Sequence, residues 1–221
     1  MRMPCTEVAA AVEHLPPAAV LTLEDVSWKE YELILEEFEE RPDLRITFDQ
    51  GRLDIVTTSG AHERRNRFVV QMVWLLADHF NVEVEDIGGT TEKRKREQKG
   101  TEPDTSFYIG DLERTIGKDD LNLETDAPPD LVIEIDKSNQ SLRKLSIYAA
   151  FGVPEIWRYV VRSKKAEIYQ LLDRGYVETP ASRFFPVLAS SILARFIEQS
   201  AAEGQSAALK TFRRWLKNQK Q

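Results

Sequence analysis

Asp104, Glu134, Asp136 and Lys144 are the residues of this chain whose types and spacing could do chemistry. Glu134 and Asp136 interrupt the apolar run Leu131-Val132-Ile133-Glu134-Ile135-Asp136, which follows Pro128-Pro129 and reads as a mostly buried strand. Side chains alternate along a strand, so both acids point to one side. Ionised carboxylates are costly to bury alone and are normally paired with cations or hold a metal. The upstream run Pro103-Asp104-Thr105-Ser106-Phe107-Tyr108-Ile109 is a second strand with an acid near its start. If the two strands are neighbours, Asp104, Glu134 and Asp136 converge on an oxygen-rich cluster that suits a hard divalent cation, Mg²⁺ or Mn²⁺. Lys144 supplies the positive charge such a site needs.

The surrounding elements must position these groups. Ser141 to Phe151 has a helical pattern that puts Lys144 and Tyr148 on one face and stops at Gly152. Ala61 to Phe80 reads as the strongest helix, with Phe68, Met72, Leu75, Leu76 and Phe80 at helical spacing and His62 and Glu63 in its first turn. Ser27 and Glu30 form a capping box for a helix from Trp28 to about Glu40. Residues 45–49 and 52–56 then make a hairpin, read as scaffold with its acids facing water. Residues 82–87 and 90–96 read as strands, the latter turning through Gln98-Lys99-Gly100 into the Asp104 strand. That turn would bring Lys93, Arg94, Lys95, Arg96 and Lys99 close to the carboxylates, where a phosphodiester backbone would lie; the competing reading is a solvated basic face. Residues 155–161, 166–172 and 176–179 are three further strands, with Trp157 a core residue, and residues 207–216 form an amphipathic helix.

A chain of 221 residues that is 42% apolar can bury a sizeable core, and the expectation is one compact α/β domain over residues 21–200. Residues 1–20 read as a flexible arm and 201–221 as a helical extension. The single cysteine, Cys5, excludes an internal disulfide and fits a reducing cytoplasm. No apolar run reaches the roughly 20 residues that span a bilayer, and the N-terminus does not read as a signal peptide. The net charge of −7 argues against coating of nucleic acid by bulk electrostatics, although local charge can differ from the total. No zinc-type Cys/His spacing, glycine-rich phosphate loop or Ser/His/Asp pattern is present.

Pro103-Asp104, Glu134 at the end of an apolar strand and a following lysine resemble the PD-(D/E)xK nuclease superfamily. More closely, Pro129-Asp130-Leu131-Val132-Ile133-Glu134-Ile135, Lys144-Leu145 with Tyr148, and Gly152-Val153-Pro154-Glu155-Ile156-Trp157 are similar to the Uma-two family of restriction-endonuclease-like proteins, over about residues 20–200. The resemblance implies a restriction-endonuclease-like core: a mixed central sheet flanked by helices, here with an N-terminal helix and hairpin. It also implies Mg²⁺- or Mn²⁺-dependent endonuclease chemistry on nucleic acid, DNA by expectation, with Asp104 and Glu134 as metal ligands. It implies a histidine at the place of His62, and a homodimer if both strands of a duplex are cut. Position 136 departs from the superfamily pattern, having aspartate where lysine is usual; in the family that lysine commonly comes from the next helix, here Lys144. The alternative expectation is an inactive module of the same fold that binds nucleic acid or dimerises.

Overall fold

The computed structural model describes residues 5–118, 121–138 and 140–219. Among them are two β-sheets and six α-helices. The first sheet grows from the hairpin expected from the sequence: β2 (Leu44–Asp49) and β3 (Arg52–Thr57) pair antiparallel across Gln50-Gly51. β1 (Val20–Leu23) adds to β3, while β6 (Lys99–Thr101) and then β5 (Glu92–Arg94) add to β2. Leu44, Ile46, Phe48, Leu53 and Ile55 share one buried face, against which lies α2 (Trp28–Glu37). Both halves of the Ser27/Glu30 capping box are present, an arrangement in which the N-cap alone is worth about 1 kcal/mol. The helix stops at Glu37, short of Glu40, as buried Phe38 turns into the core.

Residues 1–4 lie outside the described residues, but the remainder of the expected arm is structured. Cys5–Glu13 is a helix, α1, whose Val8 and Val12 are buried with the α2 side chains. A single turn pattern in a short Ala-rich segment does not reveal a helix held by two valines.

The second sheet has the order β11-β10-β9-β8-β7-β4. Its strands are β4 (Val84–Gly88), β7 (Thr105–Ile109), β8 (Leu131–Asp136), β9 (Glu155–Val160), β10 (Lys165–Leu172) and β11 (Gly175–Thr179). All neighbouring pairs are antiparallel except β8 and β9, which are parallel and therefore need a crossover. That crossover is a 3-10 turn, Gln140–Lys144, running directly into α4 (Leu145–Phe151). Gly152 ends it at φ 86°, the left-handed value that glycine adopts without strain.

One face of this sheet, through Ile133, Ile135, Trp157 and Tyr159, buries against α3 (Gly60–Phe80), α5 (Ser190–Glu203) and α6 (Gln205–Leu216). The other, through Val132 and Ile156, packs on Ile147, Tyr148 and Phe151 of α4. α6 is thus part of the core, with Ala208, Phe212 and Leu216 buried, and not an extension; Trp215 packs back, stacked on Phe212 at 5.5 Å. The basic hairpin also differs from expectation. β5 and β6 belong to the first sheet, and the chain changes sheets at Glu102-Pro103-Asp104 before entering β7. No described helix is long and apolar enough to cross a membrane.

Gly100 is the tightest backbone approach in the first sheet. A Cβ there would lie 2.7 Å from Cζ and 2.9 Å from Cε1 of Tyr31, and Tyr31 is fully buried and stacked on Phe48 at 4.8 Å. Gly100→Ala is therefore expected to destabilise the protein by about 1–3 kcal/mol through overpacking, read as a lower urea midpoint at unchanged m-value; an unchanged midpoint would mean that the ring moves freely.

Candidate active site

Asp104 stands at the crossing between sheets. Pro103 has no N–H to donate, so a ladder cannot continue through it. Glu102 pins the near side: its N–H donates to Ile46 O at 3.1 Å, and its carboxylate accepts from Ile46 N at 2.8 Å and Thr91 Oγ1 at 2.9 Å. On the far side β7 pairs Thr105 with Ile133, so one residue outward Asp104 comes opposite Glu134. Asp104 Oδ2 accepts the Ile135 N–H at 2.7 Å, and Asn66 of α3 donates to the Asp104 carbonyl at 3.0 Å.

Glu134 is held from the helix that follows it. Lys144 Nζ lies 2.9 and 3.2 Å from its two carboxylate oxygens and donates also to Glu102 O at 3.0 Å. Tyr148, one helical turn beyond Lys144, donates its hydroxyl to Glu134 Oε1 at 2.5 Å. His62 comes from the first turn of α3, its Nε2 2.8 Å from Asp104 Oδ1. Arg45 of β2 places Nε 3.4 Å from the same oxygen. Asp104, Glu134, His62, Arg45 and Lys144 all line one small cavity of about 40 Å³. A larger cleft of about 320 Å³ adjoins it, sharing Val56, Gln140 and Lys144 and lined further by Arg52, Asp54 and Arg143.

The two central acids respond oppositely to this setting. Burial pushes the Glu134 carboxyl up to about 7, against the attraction of Lys144 and with the repulsion of Asp104 and Asp136 adding to the rise. Burial also acts to raise Asp104, but His62, Lys144 and Arg45 together outweigh it and leave this carboxyl below its ordinary value. Burial acts to lower His62, yet its bond to Asp104 and the charge of Glu134 raise it overall. Lys144 is likewise raised, because Glu134 and Asp104 outweigh its burial. Asp104 thus keeps its negative charge more firmly than an ordinary carboxyl, while Glu134 holds a proton more readily than one.

Asp136 is on the Glu134 side of β8 as alternation requires and lines the same cavity, but its carboxylate is engaged by Arg158 and Ser141, so it is not a free third ligand. Among the described residues no group of three or more His, Cys, Asp or Glu side chains is arranged to hold a metal. Arg94 is also corrected. Strand alternation turns it inward beside Glu92, where it donates to Leu123 O at 2.9 Å and to the α4 carbonyls of Ala150 at 3.1 Å and Phe151 at 3.4 Å. It therefore caps a helix C-terminus instead of meeting a phosphate. Lys93 lies 3.7 Å from Glu32 of α2, and Lys95 and Arg96 are exposed. Lys99 pairs with Asp49 at the cleft side of the first sheet. The basic block is split between two faces.

Sequence reasoning missed Arg45, and it placed Tyr148 beside Lys144 without giving it a role. For Tyr148 the signal was its spacing of four from Lys144. For Arg45 it was the alternation Arg45-Thr47-Asp49 and Arg52-Asp54-Val56, a hairpin face that meets the cleft; of the acids expected to face water, Asp54 lines that cleft and Asp49 a neighbouring depression.

The donors fit a hard divalent cation. Mg²⁺ is commonly held by one or two carboxylates with the rest of its shell from water and substrate oxygens, so Asp104 and Glu134 suffice without Asp136. The cavity exceeds the 10–15 Å³ or so that one water-sized occupant needs.

The Uma2 family model, described as "Putative restriction endonuclease", matches residues 28–199. The chain belongs to the Uma2 family. A crystal structure described as "a putative nuclease belonging to DUF820", from Anabaena variabilis, is similar in fold with a TM-score of 0.51 at 15% identity, the match covering 74% of this chain and 98% of that one. No curated protein matches. The matched Uma2 span contains every site residue described above and leaves α1, β1, the end of α5 and all of α6 outside.

Glu92 lies behind the site. It faces Thr101 across the β5–β6 ladder, and its Oε1 accepts from Ser106 Oγ at 2.7 Å. Its Oε2 has no partner among the described residues. Burial, with Glu134 adding to it, pushes its carboxyl from 4.5 up to about 8. A folded-state value above the unfolded one means that the folded protein binds the extra proton. The stability this confers is complete below about 4.5 and is lost as pH rises through about 8. Urea unfolding across that window should give a falling free energy for the natural protein. In Glu92→Gln the slope should be shallower by up to about 1.4 kcal/mol per pH unit, and identical slopes would refute a protonated Glu92.

Proposed function

We propose that the protein is a metal-dependent endonuclease that hydrolyses phosphodiester bonds of nucleic acid, DNA by preference, on a restriction-endonuclease-like core. The observation that carries this reading is the buried meeting of Asp104, Glu134 and Lys144 around one cavity, in a chain of the Uma2 family. Mg²⁺ or Mn²⁺, held by Asp104 and Glu134, would supply Lewis acidity and lower the pKa of a water. The protein's own groups provide the rest. His62 and Arg45 orient Asp104 and keep it ionised. Tyr148 fixes the Glu134 carboxyl, and Lys144 brings a full positive charge to the place where negative charge grows on the phosphoryl oxygens. The polar cleft with Arg52 and Arg143 leads the backbone to that point. Cutting both strands of a duplex calls for two such sites, so the reading includes a second copy of the chain.

A second reading, an inactive fold that binds nucleic acid, is favoured by one observation: Lys144 contacts both oxygens of Glu134. Calorimetric titration with Mg²⁺ and Mn²⁺ separates the two, since metal uptake without cleavage of any substrate supports the inactive module. Incubation with single- and double-stranded DNA and RNA is expected to show cleavage that needs the metal. Asp104→Asn and Lys144→Met should each reduce it about 100-fold or more, as loss of one charge-stabilising group does elsewhere. Full activity in folded Asp104→Asn would falsify the assignment.

A further inference from the structure

We propose that Asp136 and Arg158 are positioning residues for Lys144: they anchor the turn that carries the lysine and keep a rival cation away from Glu134. In the parallel β8–β9 ladder the residue beside Glu134 is Arg158, a fully buried guanidinium. It is nevertheless Lys144, from the crossover, that pairs with Glu134. The guanidinium is committed elsewhere. Its Nε donates to Asp136 Oδ2 at 2.7 Å and to Ser141 Oγ at 3.0 Å, Nη2 to Ser138 O at 2.6 Å, and Nη1 to Glu167 Oε2 at 2.5 Å.

Asp136 completes the anchor from the other side. Its two oxygens lie 3.1 and 3.2 Å from the Ser141 N–H, and Oδ2 accepts the Ser141 hydroxyl at 2.8 Å. The chain is thereby clamped at Ser138 and Ser141, three residues before Lys144. A long, flexible lysine loses less entropy on ordering when its backbone is fixed, and a carboxylate that occupies the neighbouring arginine keeps that guanidinium from competing with Lys144 for Glu134. Asp136 thus serves the site through Lys144.

The test reads Lys144 directly. In the natural protein Lys144 is buried and held by three hydrogen bonds, so acylation by acetic anhydride, followed residue by residue with mass spectrometry, should be slow there and fast at exposed Lys210. In Asp136→Asn and, more mildly, in Ser141→Ala, acylation of Lys144 should rise about 10-fold, the equivalent of one charge-assisted hydrogen bond, while Lys210 is unchanged. Circular dichroism and the thermal midpoint establish that each variant is folded, and Ser141→Ala, which removes one hydroxyl, keeps the test open if Asp136→Asn does not fold. Protection of Lys144 equal to the natural protein's in either folded variant would overturn the proposal. A second readout rests on the nuclease reading: Asp136→Asn should lower kcat with little change in KM. If the natural protein cleaves no substrate, that reading fails, while the acylation result still decides the positioning role.

Discussion

The ammonium of Lys144, buried against Glu134 and the Glu102 carbonyl, is the interaction on which the centre of this molecule depends. Two acids taken out of water within one cavity repel each other and lose hydration, and neither loss is tolerable unless positive charge is brought in with them. The chain brings it as Lys144 from the crossover and Arg45 from the first sheet, with His62 of α3 as a further polar partner of Asp104. Leaving any one acid uncompensated would be strongly destabilising, so the fold must close before the charges are satisfied. The same arrangement separates the acids' proton affinities, with Asp104 driven down and Glu134 up.

The architecture follows from having to gather those cations. A strand can present an acid, but the parallel step from β8 to β9 forces a crossover, and the crossover carries Lys144 and Tyr148 back over the strand they leave. The switch of sheets at Pro103 sets Asp104 across from Glu134 while leaving β2, with Arg45, within reach. α4 then lies between the layers, its apolar face against Val132 and Ile156 and its C-terminus capped by Arg94 from β5.

Much of this was legible because it is local. The Ser27 capping box, the Gln50-Gly51 turn, the span of α3 and the four-residue spacing of Lys144 and Tyr148 are each set by neighbours within a turn or two of chain. Asp104, Glu134 and Lys144 could be singled out because acids in an apolar strand demand partners. What escaped is non-local. Alternation told that Asp136 shares a face with Glu134, but not that an arginine 22 residues away would claim it. It told that the hairpin has a polar face, but not that this face lines an open cleft beside the site. For Arg94, a run of four basic residues read as one patch, whereas strand geometry sends its members to opposite sides. The two buried valines of α1 and the addition of β5 and β6 to the hairpin depend on pairings that no local pattern encodes.

The change of sheets at Glu102-Pro103-Asp104 makes the centre a joint between two separately cored layers. Arg45 and the Glu102 carboxylate ride with one hydrophobic cluster, Glu134 and Lys144 with the others. The spacing of charges at the seam is therefore set by how the two layers pack against each other. Any group seated in the seam thus touches side chains anchored in both layers, joined through Glu102, Pro103 and Asp104.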